Sequence, residues 1–580
     1  MRAALLSLFL ALPSLALDIV YDVRTPRPTT HLFHVTIELS GIEGDSLDLA
    51  MPAWTPGYYK VQNHAKNIRE FAARGDDGRA LAFEMTDKQT WRVRTGGVRS
   101  AKVSYLAYAH SLSPTGSDLT DEHAYFHGTW LFMYAVGHTK SPVTLRLHPL
   151  PGWKTATGLD PAGEDTWRAA DYDVLVDSPV LMGDIDVRTF EAGGAVHEVV
   201  IHKSPACDRA VMVEDIRKIV EAQLAIMGPP PYKRYVFLLH FPRWWGGGLE
   251  HLNSTSIVHN GEALSDRGQY VQFLFIVSHE FFHLWNVKRI RPAQLGPFDY
   301  SKEVMTKNLW VHEGFTNYYG WLAMERGGIL KREEYLGKVQ EELNHLMRRA
   351  GRRITSPEMA SWHTWLDPDD SEDVEVSYYM SGHLLGLALD ASIRRRTEGK
   401  RSLDDVMRLA LEKTRDAGYG DDDWLAFVNE ASGSDFAEFF ARHVSGTQEL
   451  PYAELLAPLG VTYEAKVDAT EADPGLEIQG IAEDLVRVRR VRDDGPAGEA
   501  EIDEGDILLA AGGQRLRGSE WGKWLAKRKP GDEVTFTLFR GERMLQKTVT
   551  LAAKQKIVHQ LQLTGKPAPE QKALLDGWLK

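Results

Sequence analysis

The sequence predicts a multidomain α+β protein with a β-rich N-terminal part, a mostly helical middle and a small β-rich C-terminal module. Three observations lead there. From Asp18 to about Val187, short runs alternate apolar and polar residues between Gly and Pro breaks. From about Arg188 to Leu455 the apolar period lengthens to that of helices. From about Gly460 to Ala553 the two-residue alternation returns.

Taken in order, residues 1–16 combine one early charge, Arg2, with an apolar run from Ala3 to Leu12 and the small residues Ser14 and Ala16. That pattern reads as a secretory signal cleaved after Ala16, so the protein is expected to be exported, periplasmic or secreted. Residues 17–187 hold HLFHVTIEL (His31 to Leu39), WRVRT (Trp91 to Thr95), AKVSYLAYA (Ala101 to Ala109) and PVTLRLH (Pro142 to His148). Such runs indicate an antiparallel β domain, with no ligand-bearing cluster and an expected binding or shielding role.

Residues 188–456 open with strands such as YVFLLHF (Tyr235 to Phe241) and continue into helices. Val271 to Arg289 is apolar almost all round, which predicts a central buried helix. Further helices are expected over Lys331 to Arg349, Ser377 to Arg395 and Ser402 to Lys413. The last has Ser402 as N-cap and Asp405 three residues on. Residues 460–555 read as a separate small β domain with a helical stretch near Ser519 to Arg528, followed by a tail, 556–580, ending in a short helix.

Composition narrows the function classes. The chain has 580 residues, with 67 Lys+Arg against 81 Asp+Glu and a net charge of -14, which argues against a nucleic-acid-binding surface. The one cysteine, Cys207, excludes an intrachain disulfide framework and a cysteine zinc cluster, and is expected to be buried and inert. A disulfide-free exported chain suits a bacterial periplasm at least as well as an animal extracellular space. No segment after the leader approaches 18 uninterrupted apolar residues, so no membrane span is expected.

The chemistry centres on His279-Glu280-Phe281-Phe282-His283. Residues four apart on a helix share a face, so the two imidazoles can reach one zinc ion, and Glu280 beside them can take a proton from water. Two histidines and a glutamate in so apolar a helix are costly unless a metal satisfies them. Catalytic zinc needs a third protein ligand, and Glu313 in Leu309-Trp310-Val311-His312-Glu313-Gly314 is favoured. His312 is the alternative; on a helix it faces about 100° away from Glu313, so only one of the two can point at the metal. Asn317, one turn on, is a candidate for contact behind the ligand or for the surface.

HEFFHLWNVKRIRP (His279 to Pro292), GPFDY (Gly296 to Tyr300), LWVHEGFTNYY (Leu309 to Tyr319) and MPAWTPGYY (Met51 to Tyr59) resemble the glycyl aminopeptidase family of gluzincin zinc metallopeptidases. The resemblance implies a thermolysin-like catalytic domain, one Zn2+ per chain, and removal of small N-terminal residues such as Gly or Ala. Gly246-Gly247-Gly248-Leu249-Glu250-His251 resembles the gluzincin aminopeptidase motif Gly-x-Met-Glu-Asn, in which the glutamate binds the substrate's free α-ammonium. On that pattern Glu250 is the amine anchor, while Gly247 and Gly248 let substrate backbone approach. Tyr378-Tyr379-Met380-Ser381-Gly382 resembles Tyr-x-Lys-Gly, whose tyrosine hydroxyl donates to the oxyanion. Tyr379 aligns with that position; Ser381 stands where the family has lysine, which leaves Tyr378 as an alternative.

The C-terminal module resembles a PDZ domain through Gly495 to Ala500, Asp503-Glu504-Gly505-Asp506-Ile507 and Gly512-Gly513, which implies a peptide partner. Its expected carboxylate loop, near Pro474 to Ile478, is degenerate. The whole reads as a zinc aminopeptidase acting on peptides with a free N-terminus, with Glu280 as general base. Its rivals are a PDZ-assisted zinc endopeptidase of exported proteins and a non-catalytic PDZ scaffold.

Overall fold

The N-terminal part is built on an eight-stranded sheet in which Asp18–Arg24, Leu32–Ser40 and Ser100–Tyr108 lie side by side. Alternation decides which face is inside: Phe33, Val35, Ile37 and Leu39 are buried while His34, Thr36 and Glu38 are partly exposed. This computed structural model describes residues 17–366, 374–415, 417–481, 484–492 and 494–580. The signal expected at 1–16 lies outside the described residues. Pairing is antiparallel throughout this sheet except between Asp18–Arg24 and Val143–His148, which run parallel. Strands so far apart in sequence are free of the hairpin constraint that forces antiparallel order. Two smaller sheets close over the same core, which holds Tyr105, Phe126, Phe132 and Leu145.

The middle begins with a five-stranded sheet in the order Asp186–Ala192, Ala195–His202, Arg234–His240, Ser254–Val258, Gly247–Glu250. The three central strands run parallel, and Gly247–Glu250 is an antiparallel edge strand. Helices Arg209–Met227 and Arg267–Phe282 adjoin this sheet, the second set against it by Phe281, whose ring lies 4.9 Å from Tyr235 and 5.7 Å from Phe237. Asp266 caps that helix by accepting from the Gln269 N–H at 3.0 Å. The helix stops at His283, well short of the Arg289 end that apolar content suggests. Its last imidazole donates from Nδ1 to the Asn286 carbonyl at 2.7 Å, which closes a turn and sends the chain away.

Glycines set two helix contacts behind this one. A Cβ on Gly314 would sit 2.2 Å from the Gly382 backbone, so helices Gly314–Arg326 and Tyr378–Arg396 cross at backbone contact. Gly320 lets the first of these lie against Phe275 and the His279 backbone. Helix Leu403–Thr414 has the capping box expected of Ser402, whose N–H is accepted by Asp405 at 2.9 Å. Cys207 is half-buried rather than fully enclosed, packed against the core, and burial raises its thiol pKa.

A long two-stranded ribbon, Val461–Asp473 with Ala552–Leu563, leads to a small β module and back. Its base is fastened to helix Arg332–Met347, where Asn344 and Gln340 bond the backbones of His559 and Leu561 at 2.8–2.9 Å. The module has its own core of Val486, Leu508, Phe536 and Leu538. The tail then returns. Helix Pro569–Trp578 buries Trp578 against Tyr335, and its indole N–H donates to the Tyr318 hydroxyl at 3.0 Å. Arg394 bonds the Gly577 carbonyl at 2.8 Å and the Lys580 N–H reaches Glu325 at 3.1 Å. The tail therefore clamps the helix that begins next to Glu313, a use the sequence does not reveal. Trp578→Ala is expected to cost about 3–5 kcal/mol of stability, read as a lower denaturant midpoint; an unchanged midpoint would remove the clamp.

Candidate active site

The signature helix presents His279 and His283 one turn apart, and helix Gly314–Arg326 brings Glu313 to them from its N-terminal end. The Glu313 carboxylate lies 3.3 Å from His279 Nε2 and 3.2 Å from His283 Nε2, and the two Nε2 atoms are 2.9 Å apart. A tetrahedral zinc ion with bonds of about 2.0–2.1 Å spaces its ligand atoms roughly 3.3 Å apart. His283 Nδ1 is committed as a donor, so the ring, once neutral as a metal ligand must be, turns its lone pair at Nε2 toward the other two groups. The three donor atoms thus fit a divalent cation, and all three residues are buried.

His312 does not compete. Its Nε2 pairs with the Tyr419 hydroxyl at 2.5 Å, facing away from Glu313, and burial depresses its pKa to about 3. Asn317 is buried and so is not a surface residue. Sequence reasoning passed over Asn286, which ties the site together. Its carbonyl holds His283, and its amide donates to the Val311 carbonyl at 2.9 Å, with Thr316 Oγ1 at 3.1 Å. A lone polar residue within the apolar run HLWNV was the available signal.

Glu280 turns from the same helix toward the edge strand. A Cβ on Gly248 would fall 2.3 Å from its Oε1, so only glycine leaves this carboxylate its place. Glu250, Glu280 and His283 each offer an atom within 4.8 Å of one another. Burial raises the Glu280 pKa well above the carboxylate range; the Glu250 and Glu313 charges add to this and His283 opposes it. Burial alone would depress His283, but Glu313 and Glu250 lift it to about 10, and burial outweighs Glu313 in lowering His279. Glu313, despite burial, is held well below its ordinary value by His283 and His279. The acids draw positive charge to one point.

Tyr379, at the start of helix Tyr378–Arg396, lies with its ring centroid 6.2 Å from that of His279 and nearly parallel to it. The residue is 36% exposed, but desolvation of its hydroxyl and then Glu313 raise its pKa, so the phenol keeps its proton. Tyr378 instead joins the aromatic cluster of Trp54, Tyr59 and Trp365, its hydroxyl 3.1 Å from Thr364 Oγ1.

The N-terminal β region supplies one wall, which its sequence pattern alone did not show. Trp54 donates to the Asp299 carbonyl at 2.8 Å and Ala53 to the Tyr300 carbonyl at 2.7 Å, so MPAWTPGYY and GPFDY are two sides of one contact. Gly57, with φ +92, brings its backbone so close that a Cβ would meet Glu250 Oε1 at 2.6 Å. Glu250 Oε1 is buried without a protein partner. From the same region Asp177 accepts from Lys288 at 2.8 Å, His251 Nδ1 at 3.1 Å and the Leu252 N–H at 2.7 Å. That fixes the chain just after Glu250. Burial opposes the Asp177 charge, but Lys288 and His251 hold its pKa well below the usual range. Asp177→Asn takes the ion partner from a buried ammonium and is expected to cost about 3–5 kcal/mol at neutral pH. A depressed carboxyl stabilises above its unfolded pKa, so the gap between parent and variant should narrow as pH falls below about 4. Denaturation at pH 7 and pH 3.5 checks this; a gap that widens in acid refutes it.

Residues 20–184 match the Peptidase M61 N-terminal domain, 272–385 the M61 glycyl aminopeptidase domain, and 459–551 a PDZ domain. No curated protein matches the chain. Among solved structures, an aminopeptidase N family protein from Idiomarina loihiensis is 27% identical, with TM-score 0.88 over 97% of this chain and 100% of its own. An M1 zinc metallopeptidase from Deinococcus radiodurans, in an E323A mutant form, is 17% identical with TM-score 0.49 over 75% of this chain and 96% of its own. Yeast LTA4 hydrolase is 13% identical with TM-score 0.46 over 77% of this chain and 70% of its own. In order along the chain, therefore, stand an M61 N-terminal domain, an M61 glycyl aminopeptidase domain and a C-terminal PDZ domain, which is the makeup of a metallopeptidase.

Proposed function

We propose that the protein is a zinc aminopeptidase that removes small N-terminal residues, glycine and alanine above all, from peptides. The observation that carries this reading is Glu250: a buried carboxylate with one unpartnered oxygen, grouped with Glu280 and His283 beside the His279, His283 and Glu313 cluster. A carboxylate without a partner there is costly, and a substrate α-ammonium satisfies it. Gly57 sits against Glu250, and Trp54, Tyr59 and Phe298 stand around it. That wall, pressed close on Glu250, suits a small first residue and favours the aminopeptidase over the endopeptidase alternative.

His279, His283 and Glu313 would hold one zinc ion. When bound, zinc supplies Lewis acidity, making water acidic enough to lose a proton near neutral pH and polarising the peptide carbonyl. Glu280 takes the proton from the attacking water and delivers it to the leaving amine, a role suited to a carboxyl whose proton affinity is raised. The Tyr379 hydroxyl donates to the carbonyl oxygen as negative charge grows there. Gly247, with φ +86, and Gly248 leave the edge strand bare for substrate backbone. A peptide ligand for the PDZ domain and export under residues 1–16, to a periplasm or beyond, complete the proposal.

Glu280→Gln is expected to bind zinc at the parent's level while kcat falls by about 10^3 or more. Full turnover in the zinc-loaded variant would end the assignment of the base. Glu250→Ala should raise KM for alanyl anilide at least about tenfold, and the parent should spare N-acetylated alanyl peptides; equal cleavage of both forms would exclude the amine anchor. Removing the metal with a chelator should abolish hydrolysis and zinc should restore it.

A further inference from the structure

Two tryptophans stand at the head of the edge strand, and the mechanism has not used them. Trp244 and Trp245 are 52% and 48% exposed, immediately before Gly246 and the strand Gly247–Glu250. Large aromatic side chains left open side by side are uncommon on a surface without a partner. The chain enters the sheet directly after them, because the Gly246 N–H is accepted by the Val258 carbonyl at 3.1 Å and Gly247 pairs with Val258. The Trp245 ring packs against His259 at 3.9 Å, and His259 against Phe273 at 5.5 Å. Phe273 lies on the signature helix six residues before His279, which is about 9 Å along the helix axis. The pair therefore flanks the signature helix upstream of its histidines, at the end of the edge strand opposite Glu250.

Direction follows from the strand. Gly247–Glu250 pairs on one side only, so an extended peptide can add to its free edge. With the substrate's amine at Glu250 and its first carbonyl near Glu280 beside Gly248, the chain must run antiparallel to the strand, toward Gly246 and Trp245. From Gly248, beside which the first carbonyl lies, to Trp245 is three residues, about 10 Å at strand spacing. That length carries the peptide to about its fourth and fifth residues.

We propose that Trp244 and Trp245 form a binding subsite for an aromatic or large apolar side chain three or four residues downstream of the scissile bond. The inference rests on the aminopeptidase reading above and adds to it a substrate class: extended peptides of about five residues or more, small at the first position and aromatic further on. The charge-poor pair offers ring faces and no ionic partner, so the selected side chain is apolar. A bulky residue is then refused at the walled end and sought at the open one.

Steady-state kinetics on three substrates test it: alanyl anilide, the pentapeptide Ala-Ala-Ala-Ala-Ala, and Ala-Ala-Ala-Phe-Ala. The parent is expected to show kcat/KM about tenfold higher for the Phe peptide than for the all-Ala peptide, carried mostly by KM. In Trp244→Ala/Trp245→Ala that ratio should collapse to about one. Trp244→Ala alone, which leaves the Trp245–His259 contact intact, should lower it at least threefold. A parent ratio near one, or a ratio kept by the double variant, overturns the subsite. Failure of the parent to cleave alanyl anilide would instead strike at the aminopeptidase reading.

Discussion

Burial of like charge is the constraint on which the rest of this molecule depends. Glu250, Glu280 and Glu313 converge among apolar helices and strands, where an isolated carboxylate is strongly disfavoured. Such a cluster persists only where positive charge is supplied at a defined point and the scaffold cannot relax. His279 and His283 turn nitrogens toward that point, and Glu313 closes it. The helices around it are correspondingly tight, with backbone contact at Gly314 and Gly382 and a near approach at Gly320.

Rigidity is imported from both ends of the chain. The β-rich N-terminal part contributes Asp177, an acid that gathers Lys288, His251 and the Leu252 amide just beyond Glu250. It also contributes the Trp54 to Tyr59 segment that seals the cleft. The C-terminal tail contributes Trp578, seated against the helix that follows Glu313. Neither module is an appendage to a self-sufficient catalytic unit. Each supplies buried contacts without which a charged interior would be held by the helical middle alone.

The site also has a polarity. At the Glu250 end, glycine and aromatic walls press on the carboxylate. At the other end, the same strand opens through three glycines to two uncovered tryptophans. One strand thereby joins a walled, charged end to an open, apolar one.

By itself the sequence determined the fold class, from alternation at both ends and helical period between, and the pairing of His279 with His283, because a spacing of four puts two side chains on one helical face. It also left His312 and Glu313 as rivals that could not both face the metal. Local periodicity sufficed there since each relation lies within one element. Tertiary structure alone decided that the signature helix stops at His283 for the sake of the Asn286 carbonyl, that His312 turns to Tyr419, and that Gly57 and Asp177 from the far β region wall and brace Glu250. All but the first of those relations join residues tens to hundreds of positions apart. No period or propensity encodes them, and they come into being only when the separate cores pack and their buried polar groups must find partners.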